Sequence, residues 1–427
     1  MCAAEQAHQW ILCPQCDLTV KLPAIPVGSR ARCPRCHTTL TANWHEPRRR
    51  PTGYACAALF MLVLANLFPF ISMHVAGLSS QIALTDIPQV MVSEDYRSLA
   101  TLFLLFVQAI PACAMVIILL LVNPVRLPHS VRQGLARILF HLRSWGMAEI
   151  FMAGVLVSFV KLMAYGEIGL GTSFWPWCLF CLLQLRAFQC VDKRWLWQRI
   201  DALPALPQQP KAGISGLKQG LRSCPCCTAI LPAHQASCPR CGVKAQARRR
   251  HSLQWTLSLL LTSLLLYVPS NILPIMVTET LGSAYPSNIM SGVILLWGDG
   301  SWPVALVIFI ASIMVPSLKM LAIGWLCWHA SGRGRFDGER MHVVYEVVEF
   351  VGRWSMIDVF VIAVLSALVR MGRLMSVYPA PGALLFALVV ILTMFAAMTF
   401  DPRLIWDRQK ETASEEPRFD GQPSRDC

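Results

Sequence analysis

The sequence predicts an all-α polytopic membrane protein made of two tandem, parallel repeats of four transmembrane helices, each preceded by a small four-cysteine domain. Three observations carry that expectation. Apolar residues make up 55% of the 427 residues and charged ones only 14%, too little charge for a soluble chain of this length. Several apolar runs reach the roughly 20 residues that cross a bilayer. A series of short motifs also occurs twice in the same order.

The repetition fixes the organisation. Cys33-Pro-Arg-Cys36 recurs as Cys238-Pro-Arg-Cys241, 205 residues later, and NLFP at 66–69 recurs at that spacing as NILP at 271–274. Pro111 recurs as Pro316, and a triple arginine stands at 48–50 and again at 248–250. Further on, WGMAEIFMAGVLVSFVK (145–161) matches WSMIDVFVIAVLSALVR (354–370) at a spacing of 209, as DKRWLWQR at 192 matches DPRLIWDR at 401. This many matches in one order mark a tandem duplication.

The expected domains are 1–47 and 223–247 (zinc-ribbon-like heads), 48–201 and 248–408 (four-helix membrane repeats), a linker at 202–222 and a disordered tail at 409–427. Membrane helices are expected near 54–75, 98–123, 146–166 and 170–191, then 255–277, 303–329, 355–371 and 378–400. Four is even, so both copies enter and leave on one face and the repeats are parallel. Between second and third helices, residues 125–145 and 341–354 carry apolar residues at helical spacing among charged ones. They are expected to lie at the membrane surface or to extend the third helix.

The net charge of +13 does not point to nucleic acid, because of where it sits. Basic residues flank the apolar runs on the head side. The opposite loops, 75–96 and 277–302, hold Asp86, Glu94, Asp95, Glu279 and Asp299 with very few Lys or Arg. That is the positive-inside pattern, which puts both heads and both termini in the cytoplasm. The start, MCAAEQAHQWILCPQC, has no basic segment leading into an apolar one, so no cleaved signal peptide is expected.

Eight of the 17 cysteines fall in C-x2-C pairs: Cys13, Cys16, Cys33 and Cys36 in the first head, Cys224, Cys227, Cys238 and Cys241 in the second. Two such turns supply a tetrahedral four-thiolate set for Zn2+, and heads of about 40 residues need a metal to make a stable core. The competing reading is a redox dithiol, which a cytoplasmic location disfavours. Cys226, inside CPCC, is an alternative ligand to its neighbour. With four protein ligands such sites are structural rather than catalytic. Cys56, Cys113, Cys178, Cys181, Cys190 and Cys327 read as packing residues.

Polar residues inside the apolar runs are the other signal. Glu149 and Asp358 occupy matching positions on the third helices. Lys319 lies within the sixth helix, where the first copy has Ala114. A charge at mid-bilayer costs about 2.5–3.5 kcal/mol, so a bundle interior or a water-filled cavity is its expected setting. Ser355 shares a helix face with Asp358, and Ser312 shares one with Lys319, with Pro316 between them as an expected kink. Together they suggest a buried network in which Lys319 meets Asp358 or Glu149. The alternative puts these charges at the headgroup interface or in a structural pair. Lys161 and Arg370 are expected to snorkel outward at the far end of the third helices. No Walker GxxxxGK[ST] and no HExxH is present, and no enzyme is expected.

Taken together, the CPxC…CPRC heads, NLFP and NILP, VPSLKM and GRWSMIDVFV resemble the paraquat-inducible protein A family, from Ile11 to Arg408. The resemblance implies a multi-pass inner-membrane protein, named for stress induction, that works beside mammalian-cell-entry (MCE) domain proteins. These form a tunnel across the periplasm, and the implied task is the movement of phospholipid between the two membranes to maintain the envelope. On that reading Glu149, Ser312, Lys319, Ser355 and Asp358 line a transport path, with Lys161 and Arg370 as outer members. The alternatives are a non-transporting anchor or assembly factor for the MCE partner and a zinc- or redox-sensing membrane protein.

Overall fold

A computed structural model describes residues 10–75, 78–93, 97–143, 145–162, 167–206, 208–244, 246–280, 283–298, 300, 302–332, 338–368 and 375–407. The chain begins with two antiparallel hairpins, β1 (Trp10–Leu12) with β2 (Thr19–Lys21) and β3 (Ser29–Arg32) with β4 (Thr39–Asn43). Helix α1 (Arg49–Leu67) then leads away from this head to β5 (Ile71–Val75) and β6 (Leu78–Ile82). Next come α2 (Asp86–Ser93), α3 (Arg97–Phe103), a π-helical turn at Leu104–Ala109, and α4 (Ile110–Val122). The block ends with α5 (His129–Leu142), α6 (Ala148–Leu162), β7 (Glu167–Leu170), α7 (Phe174–Cys190) and α8 (Lys193–Ile200).

A second head carries β8 (Leu221–Ser223) and β9 (Ile230–Pro232), and the same element order follows. It runs α9 (Ser252–Ile272), β10 (Met276–Thr280), β11 (Ser283–Ser287), α10 (Ile289–Gly298), α11 (Trp302–Phe309), a π turn at Ile310–Met314 and α12 (Val315–Ala330). It closes with α13 (Gly338–Trp354), α14 (Ile357–Leu368), β12 (Met375–Pro379), α15 (Pro381–Thr399) and a short 3-10 helix, Pro402–Ile405. Both blocks form a three-stranded antiparallel sheet, in the orders β6-β5-β7 and β11-β10-β12, at the helix ends remote from the heads. The expected outer loops are therefore partly strand. In the first sheet Ile71 is flanked by Ile82 and Leu170, and apolar cross-strand neighbours of this kind stabilise pairing.

Among the described residues, five helices are long and apolar enough to span a membrane: Arg49–Leu67, Arg97–Val122, Ser252–Ile272, Ile310–Ala330 and Pro381–Thr399. A sixth is reached if Phe174–Cys190 and Lys193–Ile200, bent by 64°, count as one. Eight were expected. The third helices are described over 15 residues in α6 and 12 in α14, each up to the edge of the described residues. Residues 163–166 and 369–374, into which they were expected to run, lie outside the described residues, as does the tail from 408.

The NLFP and NILP motifs have a local cause. Ser173 Oγ donates to the Phe68 carbonyl (2.8 Å) and accepts from the Phe68 amide (3.2 Å), closing the end of α1. The Gly171 amide donates to the Phe70 carbonyl (3.0 Å), and in the second block the Gly382 amide donates to the Pro274 carbonyl (3.0 Å). Each motif thus seats the first helix of its block against the entry to the last. The two prolines of the second spans follow π turns. In the first block the widened turn leaves the Phe106 carbonyl to accept the Met147 amide at 3.1 Å, so the main-chain group exposed by the irregular ladder is bonded.

The blocks meet at α6 and α14. Gly154 faces the Phe360 Cβ so closely that a Cβ of its own would lie 3.2 Å from it. Phe360 packs on Phe151 (5.9 Å between ring centroids) and Phe103 (6.5 Å), and Phe151 packs on Trp177 (5.5 Å). This aromatic core holds the third helices in the middle of the molecule.

Candidate functional site

Each head brings four buried sulfurs together. Cys13 and Cys36 lie 3.4 Å apart and Cys16 and Cys33 3.5 Å apart. In the second head the Cys224–Cys241 and Cys227–Cys238 separations are both 3.5 Å. Within each set the ligand atoms all lie within 4.8 Å of one another. A metal with thiolate bonds of about 2.3 Å in tetrahedral array separates its sulfurs by about 3.8 Å, so both sets fit an ion of that kind. Cys226 stands outside the second set, half-buried. Left-handed backbone at Asp17, His37, Thr228 and Gly242 (φ +59°, +56°, +58° and +69°) turns the chain back one residue past each C-x2-C pair. The amides of these same four residues then donate to the carbonyls of Cys13, Cys33, Cys224 and Cys238 at 2.8–3.0 Å.

The second feature is in the membrane-spanning block. Lys319 on α12 is 3% exposed, and its Nζ donates to Thr393 Oγ1 on α15 at 3.0 Å. Thr393 passes its own hydroxyl proton to the Val390 carbonyl (2.9 Å), so its oxygen is oriented as an acceptor for the amine. Gly352 on α13 makes room for the lysine tip: a Cβ there would meet both Cε and Nζ at 3.3 Å. One turn on, Ser355 is buried and its Oγ has no hydrogen-bond partner among the described residues. Ser312 is buried in the π turn, seven residues before Lys319.

The remaining expected path residues are placed less fully. Glu149 is half-buried in the first turn of α6, and the polar partner that the described residues give Lys319 is Thr393 rather than this carboxylate. Asp358 falls in the first turn of α14 and Lys161 near the end of α6, but their side chains, like all of Arg370, lie outside the described residues.

Thr393 and Gly352 were not among the expected residues. A signal for Thr393 did exist. At the 209-residue offset Thr393 matches Gln184, the polar residue within FCLLQLRAF. Gln184 is likewise buried, with its amide nitrogen 3.3 Å from where a Gly146 Cβ would stand. Both last helices thus bury one polar side chain at the same place.

Two four-sulfur centres joined to five or six apolar spans, with a polar cluster enclosed among the spans, define a multi-pass membrane protein with two candidate metal sites. The family model described as Paraquat-inducible protein A matches residues 49–201 and 253–410, and the chain belongs to that family. It is 68% identical to "Intermembrane transport protein PqiA" of Escherichia coli (strain K12), over 97% of this chain and 100% of that protein. It is 29% identical to "Lipophilic envelope-spanning tunnel protein A" of the same strain, over 96% and 93%. It is also 29% identical to a "Probable intermembrane transport protein" of Haemophilus influenzae, over 93% and 96%. No solved structure matches the chain.

Proposed function

We propose that this protein is the inner-membrane component of an intermembrane lipid transport system, passing phospholipid between the inner membrane and a periplasm-spanning MCE tunnel. The observation that carries the reading is the lysine cluster. A buried amine, an oriented threonine acceptor and an unsatisfied serine hydroxyl sit inside a membrane-spanning bundle, where polar groups are costly unless they serve a passage. A phospholipid headgroup offers the anion and acceptors such a cluster can bind. The relatives' names, intermembrane transport protein and envelope-spanning tunnel protein, support the same task.

On this reading the two blocks descend from one duplicated unit, and both heads face the cytoplasm. Each head binds Zn2+ structurally through its four thiolates, which would be held deprotonated by the metal and would supply no open coordination position. Glu149 and Asp358 border the path from the third helices. Transport activity is tested by transfer of labelled phospholipid from vesicles containing the protein to its purified partner. Lys319→Ala and Asp358→Asn are expected to reduce transfer at least tenfold while expression and partner binding stay normal. Normal transfer by both variants would remove this cluster from the path, and loss of partner binding along with transfer would favour an anchoring role.

A further inference from the structure

A cavity of about 1020 Å³ lies on the head side, between both heads and the ends of α7 and α15, and its lining holds none of the residues of the lysine cluster. Eight basic side chains line it against two carboxylates, Asp192 and Asp401. Both aspartates are already committed. Asp192 accepts from the Thr41 hydroxyl (3.2 Å) and from the amides of Ala42 (3.0 Å) and Trp195 (2.9 Å). Asp401 accepts from Arg403 (2.9 and 2.8 Å) and from the Arg249 amide (3.1 Å).

The cations differ in how they are used. Arg30 stacks on Trp44 (4.6 Å) and Arg143 over Phe188 (5.9 Å). Lys193 donates to the Pro225 carbonyl (2.6 Å). The side chains of Lys244 and Arg250, both exposed and lining the cavity, make no hydrogen bond or ion pair among the described residues. A metal-loaded second cluster carries two net negative charges and touches the cavity through Cys224. Setting those and both aspartates against the basic groups still leaves the cations in excess. The floor is apolar, formed by Phe188, Met398 and Phe400 at the helix ends and by Tyr345.

We propose that this cavity is a binding site for a phosphate-bearing headgroup, with Lys244 and Arg250 as its recognition cations and the aromatic floor receiving the apolar part next to the phosphate. Ammonium and guanidinium donors form strong charge-assisted hydrogen bonds to phosphate oxygens, and the volume is that of a site for a small amphiphile. The identity of the ligand as a phospholipid rests on the transport reading above. The anion site itself does not, because binding is measured on the purified chain without transport.

The experiment titrates full-length, metal-loaded protein in neutral detergent with short-chain phosphatidylglycerol, short-chain phosphatidylcholine, glycerol phosphate and inorganic phosphate, read by native mass spectrometry. The variant is Lys244→Gln with Arg250→Gln, two exposed changes that remove no internal bond. Phosphatidylglycerol is expected to bind one per chain, to bind at least about tenfold more weakly to the variant, and to weaken as salt rises. Glycerol phosphate is expected to compete more weakly than the lipid. Equal binding by variant and wild type would overturn the proposal. Displacement of the lipid by an equal concentration of inorganic phosphate would assign the site to a soluble ion and overturn the lipid reading. Loss of cluster metal in the variant would show that the cations serve the sulfurs, with the same consequence. Lys319→Ala is expected to leave this binding unchanged, so an error in the transport path and an error here give different results.

Discussion

Among the described residues, Lys319 is held by a single hydroxyl. Because Thr393 Oγ1 gives its proton to Val390, the oxygen is fixed as an acceptor, and Thr393→Val would leave a buried amine without a partner. Such a loss costs about 1–3 kcal/mol. It should appear as reduced thermal stability of the purified protein along with reduced lipid transfer, while Thr393→Ser retains both. Gly352→Ala makes a different change. Its Cβ would press on the tip of a flexible side chain at 3.3 Å, not on backbone. We expect normal folding with impaired transfer, because the amine moves by a few tenths of an ångström and no bond is removed.

Asp401 acts at the same scale outside the membrane span. It is 1% exposed. Burial alone would raise its pKa, but the Arg403 guanidinium and the amides of Arg249 and Arg403 outweigh burial and hold it below the usual carboxylate range. A depressed folded-state pKa contributes stability that is complete above the unfolded value, about 3.9, and is lost as pH falls through the folded value. The stability gap between wild type and Asp401→Asn should therefore be constant from pH 7 to about pH 4 and close only below it. Thermal unfolding across that range checks the prediction; a gap that closes near pH 6 would rule out Asp401 as the cause.

At the scale of elements, the two glycines that open the last helices are constrained by backbone. A Cβ at Gly171 would lie 2.1 Å from the Pro69 carbonyl oxygen, and one at Gly382 would lie 2.5 Å from that of Pro274. Neither neighbour can rotate away, so Gly171→Ala and Gly382→Ala should each cost about 1–3 kcal/mol by forcing the chain apart. Gly53→Ala, where nothing lies within 4 Å, should cost almost nothing. Denaturation in mild detergent compares the three. NLFP and NILP were visible in the sequence as a repeated motif, but their contact with Gly171 and Gly382 was not, because it joins segments about 100 residues apart.

The same limit explains what else the sequence left out. Apolar run length located the first, second and final spans, since hydrophobicity reports directly on lipid contact. Its third helices run into residues 163–166 and 369–371, which lie outside the described residues. Cysteine spacing gave the two sulfur sets, because C-x2-C geometry is local. Lys319 was legible as a lone cation in an apolar run. Its partner was sought among carboxylates, whereas a threonine is chemically too ordinary in a helix to stand out without the 209-residue alignment to Gln184.

At the scale of the whole molecule the heads are exchanged. The first head packs on the second block: the core around Ile11, Cys16 and Cys33 includes Ile323, Tyr345, Phe400 and Trp406. The second head packs on the first block, with Cys224 and Cys241 in one core with Leu196 and Trp197. The arginine of each CPRC motif marks the crossing. Arg35 stacks on Trp406 at 5.8 Å and Arg240 on Trp197 at 6.0 Å, so each head reaches a tryptophan at or within the other block's last helical segment. The Asp17–Arg248–Asp407 ion pairs (2.9 and 2.5 Å) fasten the first head and the segment after α15 to the start of the second block.

The two arginines should nevertheless differ in consequence. Arg240 is 2% exposed and also donates to the carbonyls of Asp201 (2.7 and 3.2 Å) and Cys227 (3.2 Å). Its removal leaves two carbonyl acceptors without this donor, so Arg240→Ala should cost about 1–3 kcal/mol. Arg35 is half-buried, and its stacking is worth about 0.5–1 kcal/mol. Hydrogen exchange on the full-length protein separates the outcomes. Arg240→Ala should raise exchange in β8, β9, α5 and α8, reach β1 through the core that Leu12 shares with Leu221 and Ile230, and leave β3 and β4 protected through the first head's seat on α12 and α13. Arg35→Ala should leave both heads near wild-type protection. Equal loosening of both heads by either variant would mean that the crossing behaves as one rigid body instead of two independent seats.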